Sequence, residues 1–341
     1  MTEIAGTSDK ARAVLRWLFA AAFIVAVVAS GLFAGLFSRA GLLYLVFGSV
    51  AAALMGFTRQ EIGAAFRDAA GRGGRPDELA RSAYFWEAAA RNAWILGALG
   101  SAFNFALVMG GQSPGIADVS HRMIQSFIVT LYGLIMAVIL LVPALKIAGL
   151  AEKAGLPGEA PSAGAARPAA SPFFSVERMA GYVGFAVLLV LTALPRIRGA
   201  ADVTIPPAKA LLHGPAVLVV LGGAIALALF AGAGGRAWTL GFATTGLIAL
   251  LTGLIQALFG FVHTNIQEIA AAIAFIVSAS VFALLGLVAV AAPLEDREVM
   301  GGGRRGAGPI SRMFWVLLPL LTFIFLVLTF IMVVTPMTKP G

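Results

Sequence analysis

A chain of 341 residues that is 60% hydrophobic and only 12% charged lies far outside the range of water-soluble globular proteins, about a quarter of whose residues are charged, and belongs in lipid. Its formal charge of +8 falls mostly in short loops beside apolar runs, where it orients spans next to anionic lipid, so no nucleic-acid partner is needed to explain it. The lack of cysteine excludes disulfides, thiolate metal ligands and a Cys nucleophile.

Nine runs reach the length of about 20 residues that a helix needs to cross a bilayer: 13 to 37, 41 to 57, 92 to 111, 122 to 145, 179 to 195, 213 to 231, 238 to 260, 268 to 292 and 313 to 335. They are continuous rather than alternating, which predicts helices and not barrel strands. The first follows Lys10, Arg12 and Arg16 and is too long for the apolar core of a cleaved signal peptide, so it reads as an uncleaved helix.

After the second run comes a loop, Phe57 to Arg91, with helical patterns at 59 to 70 and 76 to 90 interrupted by Gly71-Arg72-Gly73-Gly74-Arg75. Residues 151 to 176 hold four prolines among Ala, Gly and Ser and cannot bury a core, which makes them a flexible cytoplasmic linker. If the N-terminus is cytoplasmic, only Arg39, Arg122, Arg196, Arg198, Lys209 and Lys339 of the 24 Lys and Arg residues fall outside. That asymmetry predicts a cytoplasmic N-terminus and an outer C-terminus.

The segments flanking the linker resemble each other. Each has two spans, then a third entered through Ala-Trp-x-Leu-Gly (Ala93, Trp94, Leu96, Gly97; Ala237, Trp238, Leu240, Gly241), then a fourth closing on a proline, Pro143 or Pro293. An even number of spans makes the repeats parallel. The expected architecture is an all-α, polytopic transmembrane bundle of about nine spans: a four-span unit in 1–150, a degenerate second unit in 177–298, and a loop with a ninth helix in 299–341.

No Asp, Glu, Lys or Arg falls in the middle of any of these runs, so the chain shows no buried carboxylate of its own to relay a proton. Asp118, His121, Arg122 and Glu268 fall at outer ends of spans, where capping or headgroup contact is expected. His121, His213 and His263 do not pair at helical spacing as a haem or metal site requires, and no nucleotide or hydrolase motif is present. Catalysis, cofactor and metal are not expected. What remains is a ribbon of small and hydroxyl residues on the third and fourth spans: Gly97, Gly100, Ser101 and Asn104, then Gln125, Ser126, Thr130, Tyr132 and Gly133. Ser101 and Thr130 fall near the same mid-bilayer depth. Such residues either pack helices together or line a narrow, weakly polar passage.

The stretch from Arg91 to Lys146 resembles the last two spans of MotA, of the MotA/TolQ/ExbB proton-channel superfamily, and Ala40 to Ala69 resembles that family's second span and the helix leaving it. Leu96-Gly97-x-x-Gly100-Ser101 is similar to a Leu-Gly-x-x-Gly-Thr entrance to span three. Thr130-Leu131-Tyr132-Gly133 is similar to the Thr-x-x-Gly of span four, and Pro143 follows Gly133 at the MotA spacing. The second half carries Ser280-Val281-Phe282-Ala283 at the corresponding place.

The resemblance implies a subunit of the bacterial inner membrane that forms a pentamer around a single-span MotB/ExbD-like partner. That partner supplies the ion-binding Asp, and ion passage, of protons in this family, drives mechanical work. Ser101, Asn104, Ser126, Thr130 and Tyr132 would line the pore, with Gly97, Gly100 and Gly133 packing the helices and Pro143 a hinge at a helix end. The other readings are a non-conducting membrane scaffold or assembly factor derived from the family, and a secondary transporter.

Overall fold

The computed structural model describes residues 39–71, 76–109, 116–153, 175–198, 213–230, 235–262, 266–300 and 309–337. By its contacts the chain divides into Met1–Arg39 and Ala40–Gly341, and every described residue after Arg39 belongs to the second unit. The run expected at 13–37 lies outside the described residues. Among those residues every regular element is helical: α1 (Arg39–Gly56), α2 (Arg59–Ala69), α3 (Pro76–Met109), α4 (Ile116–Lys153), α5 (Val176–Arg198), α7 (Gly235–Val262) and α9 (Pro309–Met337). Between these, α6 runs from Gly214–Val217 through a π turn, Leu218–Gly222, to Gly223–Phe230. Likewise α8 runs from Ile266–Gly286 through a π turn, Leu287–Ala291, to Ala292–Met300.

Among the described residues, four stretches are long and apolar enough to cross a membrane: Arg39–Gly56, Phe127–Ala148, Gly235–Gly260 and Gln267–Met300. Gly214–Leu229 and Trp315–Thr329 are shorter apolar helices. The distribution of side chains is that of a molecule in lipid. Leu43 and Phe47 on α1, and Val138, Ile139 and Val142 on α4, are exposed, whereas Ser101, Thr239, Ser278, Ser280 and Thr322 are fully buried. With hydrocarbon outside, apolar side chains lose nothing by facing outward and hydroxyls gain by turning to partners inside. We therefore read the chain as a membrane-embedded helical protein.

The described residues between the second and third runs form two helices, α2 and the first part of α3, around a small core. Thr58 caps α2: its hydroxyl accepts from the Glu61 backbone N–H while the Glu61 carboxylate accepts from the Thr58 N–H at 2.7 Å. The helix stops at Gly71, whose φ of 83° is open to glycine and strained for other residues. The second helical pattern does not end at 90, because α3 is one 34-residue helix that carries it straight into the third apolar run. Phe57, Phe85 and Trp86 stack edge to face between α2 and α3, and the Trp86 indole donates to the Ala65 carbonyl at 3.1 Å.

The two prolines expected to close helices do not. Pro143 lies inside α4, which runs 38 residues to Lys153, and Pro293 lies inside the 266–300 helix. A proline removes one N–H and presses its ring on the carbonyl four residues earlier. Ending a helix in lipid strands many more backbone groups, so the helix continues. At Pro293 the π turn supplies the room, since the carbonyl that the ring would strike, that of Ala289, lies within Leu287–Ala291. Pro143 is therefore a position within a helix and not a hinge at its end.

Helix α3 is the common neighbour. It packs along most of its length against α4, and also against α8 and α9, while α7 packs on α6, α8 and α9. Ile95, Leu96, Leu99, Ala102 and Phe105 of α3 are accordingly sealed. Helices from both sides of the linker thus share one core.

Candidate functional site

The α3–α4 crossing brings four of the residues singled out by sequence to one place. Gly97 and Gly133 let the two backbones touch: a Cβ built on Gly133 would stand 2.6 Å from the Gly97 Cα and 2.8 Å from the Ala93 carbonyl oxygen. One turn along α3 from Gly97, the Ser101 and Thr130 hydroxyls share a hydrogen bond of 2.6 Å, and the Thr130 Oγ1 also donates to the Gly97 carbonyl at 3.4 Å. The bare glycine backbone is what allows so short a bridge between side chains of only one or two carbons.

Gly100 serves a different neighbour, because the Tyr44 ring of α1 lies over it together with Val129. Tyr132 is buried and Asn104 half-buried. Ser126 belongs to α4, and its side chain lies outside the described ones, as do those of Asp118, His121, Arg122 and Gln125. His263 is likewise outside, and Glu268 is exposed on the first turn of α8. Chemically the Ser101–Thr130 pair neither takes up nor releases a proton near neutral pH. It can pass a hydrogen bond, or solvate a carboxylate presented to it.

A second polar site was not legible as such. At the far end of α8, Asp296 is fully buried. Its Oδ1 accepts from Arg91 Nη2 at 2.8 Å and from the Tyr84 hydroxyl at 2.9 Å, and the Arg91 guanidinium lies 4.4 Å from the centre of the Trp315 ring. Next to it, Glu295 accepts from the Thr239 hydroxyl at 3.0 Å and from the Trp315 indole at 3.1 Å. Glu298 caps the start of α7, accepting from the Gly235 N–H at 2.7 Å. The Asp296 Oδ2 is buried with no hydrogen-bond partner and faces Gly56 at the end of α1, where a Cβ would come within 2.7 Å of it.

Burial pushes the Tyr84 phenol up, and the Asp296 charge adds to that, so Tyr84 remains a neutral donor. Burial pulls the Arg91 guanidinium down, but its acidic surroundings, Asp296 first with its hydrogen bond and then Glu295, together outweigh it and hold the group above its ordinary value. The cluster ties α3, α7, α8 and α9 together beside the end of α1. A buried pair of this kind contributes little net stability but is costly to break from one side, because the remaining charge stays behind without compensation.

The sequence signal for this site was faint. Arg91 immediately precedes one apolar run and Glu295-Asp296 immediately follow another, each at a place where solvated loop charge is the ordinary expectation. Only the passage of α8 through Pro293 carries the two acids into the core. No family model, no curated protein and no solved structure matches the chain.

Proposed function

We propose that the chain is a stator-like subunit of the MotA/TolQ/ExbB type. It spans the bacterial inner membrane about nine times as two parallel four-helix repeats and a final helix, with a cytoplasmic N-terminus and a periplasmic C-terminus. It has no catalytic role. Copies assemble around a single-span partner whose membrane-embedded Asp carries the ion, a proton by resemblance, and the passage of that ion drives mechanical work. Ser101 and Thr130 stand nearest that carboxylate, flanked by Asn104, Ser126 and Tyr132.

The observation that supports this reading is the α3–α4 crossing itself. The family-like glycines and hydroxyls, which lie 29 residues apart at Ser101 and Thr130, converge into one uncharged hydrogen-bonding pair on touching backbones. A polar pair that lacks its own acid is the complement a partner's carboxylate needs.

A second reading, a non-conducting scaffold, is favoured by one feature: Ser101 and Thr130 are 0% and 5% exposed within a single chain and already satisfy each other. Native mass spectrometry of the full chain, co-expressed with its genomic neighbours, separates the two. The stator reading expects a pentamer retaining two copies of a single-span protein. A monomer or dimer with no such partner would contradict it and leave the scaffold.

A further inference from the structure

Helix α2 is held at both ends by the ends of membrane-crossing stretches. It starts three residues after Gly56, the last residue of the stretch Arg39–Gly56. At its other end the Ala69 carbonyl accepts from Lys146 Nζ at 2.8 Å, and Lys146 immediately follows the apolar run 122 to 145. An 11-residue helix is about 16 Å long. With both ends fixed at the level where spans finish, its axis lies along the membrane plane rather than projecting from it.

The two faces of α2 differ in kind. The inner face carries Ala65 and Asp68, both buried, with Asp68 accepting from the Ser82 hydroxyl at 2.6 Å. Its other acid, Glu61, is engaged by Thr58 in the cap. The outer face presents Arg59, Arg67 and Phe66, the last 57% exposed, and Glu177 of α5 stands 3.5 Å from Arg59. The acids are thus turned inward or engaged, while Arg67 and Lys146 are exposed, Arg67 next in sequence to Phe66, whose partly exposed ring also rests edge-on against Trp86 at 4.8 Å. An aromatic ring among cations on one helix face fits the headgroup layer of an anionic bilayer.

We propose that the outer face of α2 lies in the headgroup layer of the chain's own membrane, with Phe66 at the acyl boundary and Arg67 and Lys146 against lipid phosphates. This rests on membrane embedding alone and is independent of the stator reading. Since the chain has no cysteine, Phe66→Cys takes a single spin label without further change. The labelled full chain is reconstituted in phosphatidylcholine vesicles with and without phosphatidylglycerol.

The label is expected to collide more with dissolved oxygen than with a water-soluble nickel chelate. That ratio should rise severalfold with phosphatidylglycerol, and Arg67→Gln should remove most of the rise. A label favouring the nickel chelate, one shielded from both reagents as under a docked protein, or a ratio indifferent to anionic lipid would each overturn the proposal. If Phe66→Cys fails to fold, Gly63→Cys provides the same readout from the same helix, since the nearest atom to a Cβ there is Arg67 Nη1 at 3.9 Å.

Discussion

The α3–α4 crossing and its counterpart in the second half, α7–α8, start from similar sequence and end differently. Thr245 follows Gly241 by one turn as Ser101 follows Gly97. Yet the Thr245 hydroxyl donates to the Gly241 carbonyl at 2.7 Å and to the Val220 carbonyl of α6 at 3.2 Å. Ser280 turns back on its own helix, donating to the Ile276 carbonyl at 2.8 Å. A Cβ on Gly241 would meet Ala224 of α6, at 2.8 Å from its carbonyl oxygen, where Gly97 meets Gly133 of the following helix. The Thr245 and Ser280 hydroxyls are thus absorbed by backbone carbonyls, whereas Ser101 and Thr130 bridge two helices. The same Ala-Trp-x-Leu-Gly entrance builds close packing in both places, but among the described residues the hydroxyl–hydroxyl bridge forms at the first, while the second entrance reaches α8 through Thr239 and Glu295.

The largest effect is expected where the two halves are fastened. Asp296 of α8 and Arg91 of α3 join one helix from each crossing, and Asp296→Ala leaves the guanidinium buried and uncompensated. Unfolding in detergent should show a loss of about 3–5 kcal/mol. A loss under about 1 kcal/mol would mean that the cluster is solvated and the halves are not fastened there. Gly133→Val comes next: its side chain meets only the backbone of Gly97 and Ala93, so it should cost about 1–3 kcal/mol by overpacking and separate α3 from α4. Cysteine cross-linking between positions 101 and 130 should then fall off while its α7–α8 counterpart is unchanged.

Thr130→Val removes one hydroxyl at nearly constant volume and should lower stability by about 1 kcal/mol; on the stator proposal it should also abolish ion-driven function. Ser280→Ala should be the smallest change, within about 0.5 kcal/mol, because the Ser280 hydroxyl serves a carbonyl of its own helix. Equal functional losses in Thr130→Val and Ser280→Ala would erase the difference between the crossings.

Sequence reading reached the α3–α4 crossing because its parts recur at helical spacing within two apolar runs, and small or hydroxyl residues stand out against Leu and Val. The two helical patterns at 59–70 and 76–90 were legible for a similar reason, since the glycine-rich break between them, Gly71-Arg72-Gly73-Gly74-Arg75, is a local signal. The charged cluster was not. Its residues come from four helices far apart in the sequence, and each lies beside a run end where charge is unremarkable. The prolines misled for a physical reason. In water a proline marks a helix boundary at modest cost, whereas here α4 and α8 pass through Pro143 and Pro293 because the surrounding lipid offers stranded carbonyls no substitute.

The most direct test of the stator proposal is proton flux into vesicles containing the chain and a single-span protein from its genomic neighbourhood, comparing wild type with Thr130→Val at matched assembly and with melting temperature measured alongside. The stator account predicts at least a tenfold loss of partner-dependent flux with the oligomer intact. Unchanged flux, or a loss that follows only from lowered stability, would contradict it and leave the Ser101–Thr130 bridge as helix packing.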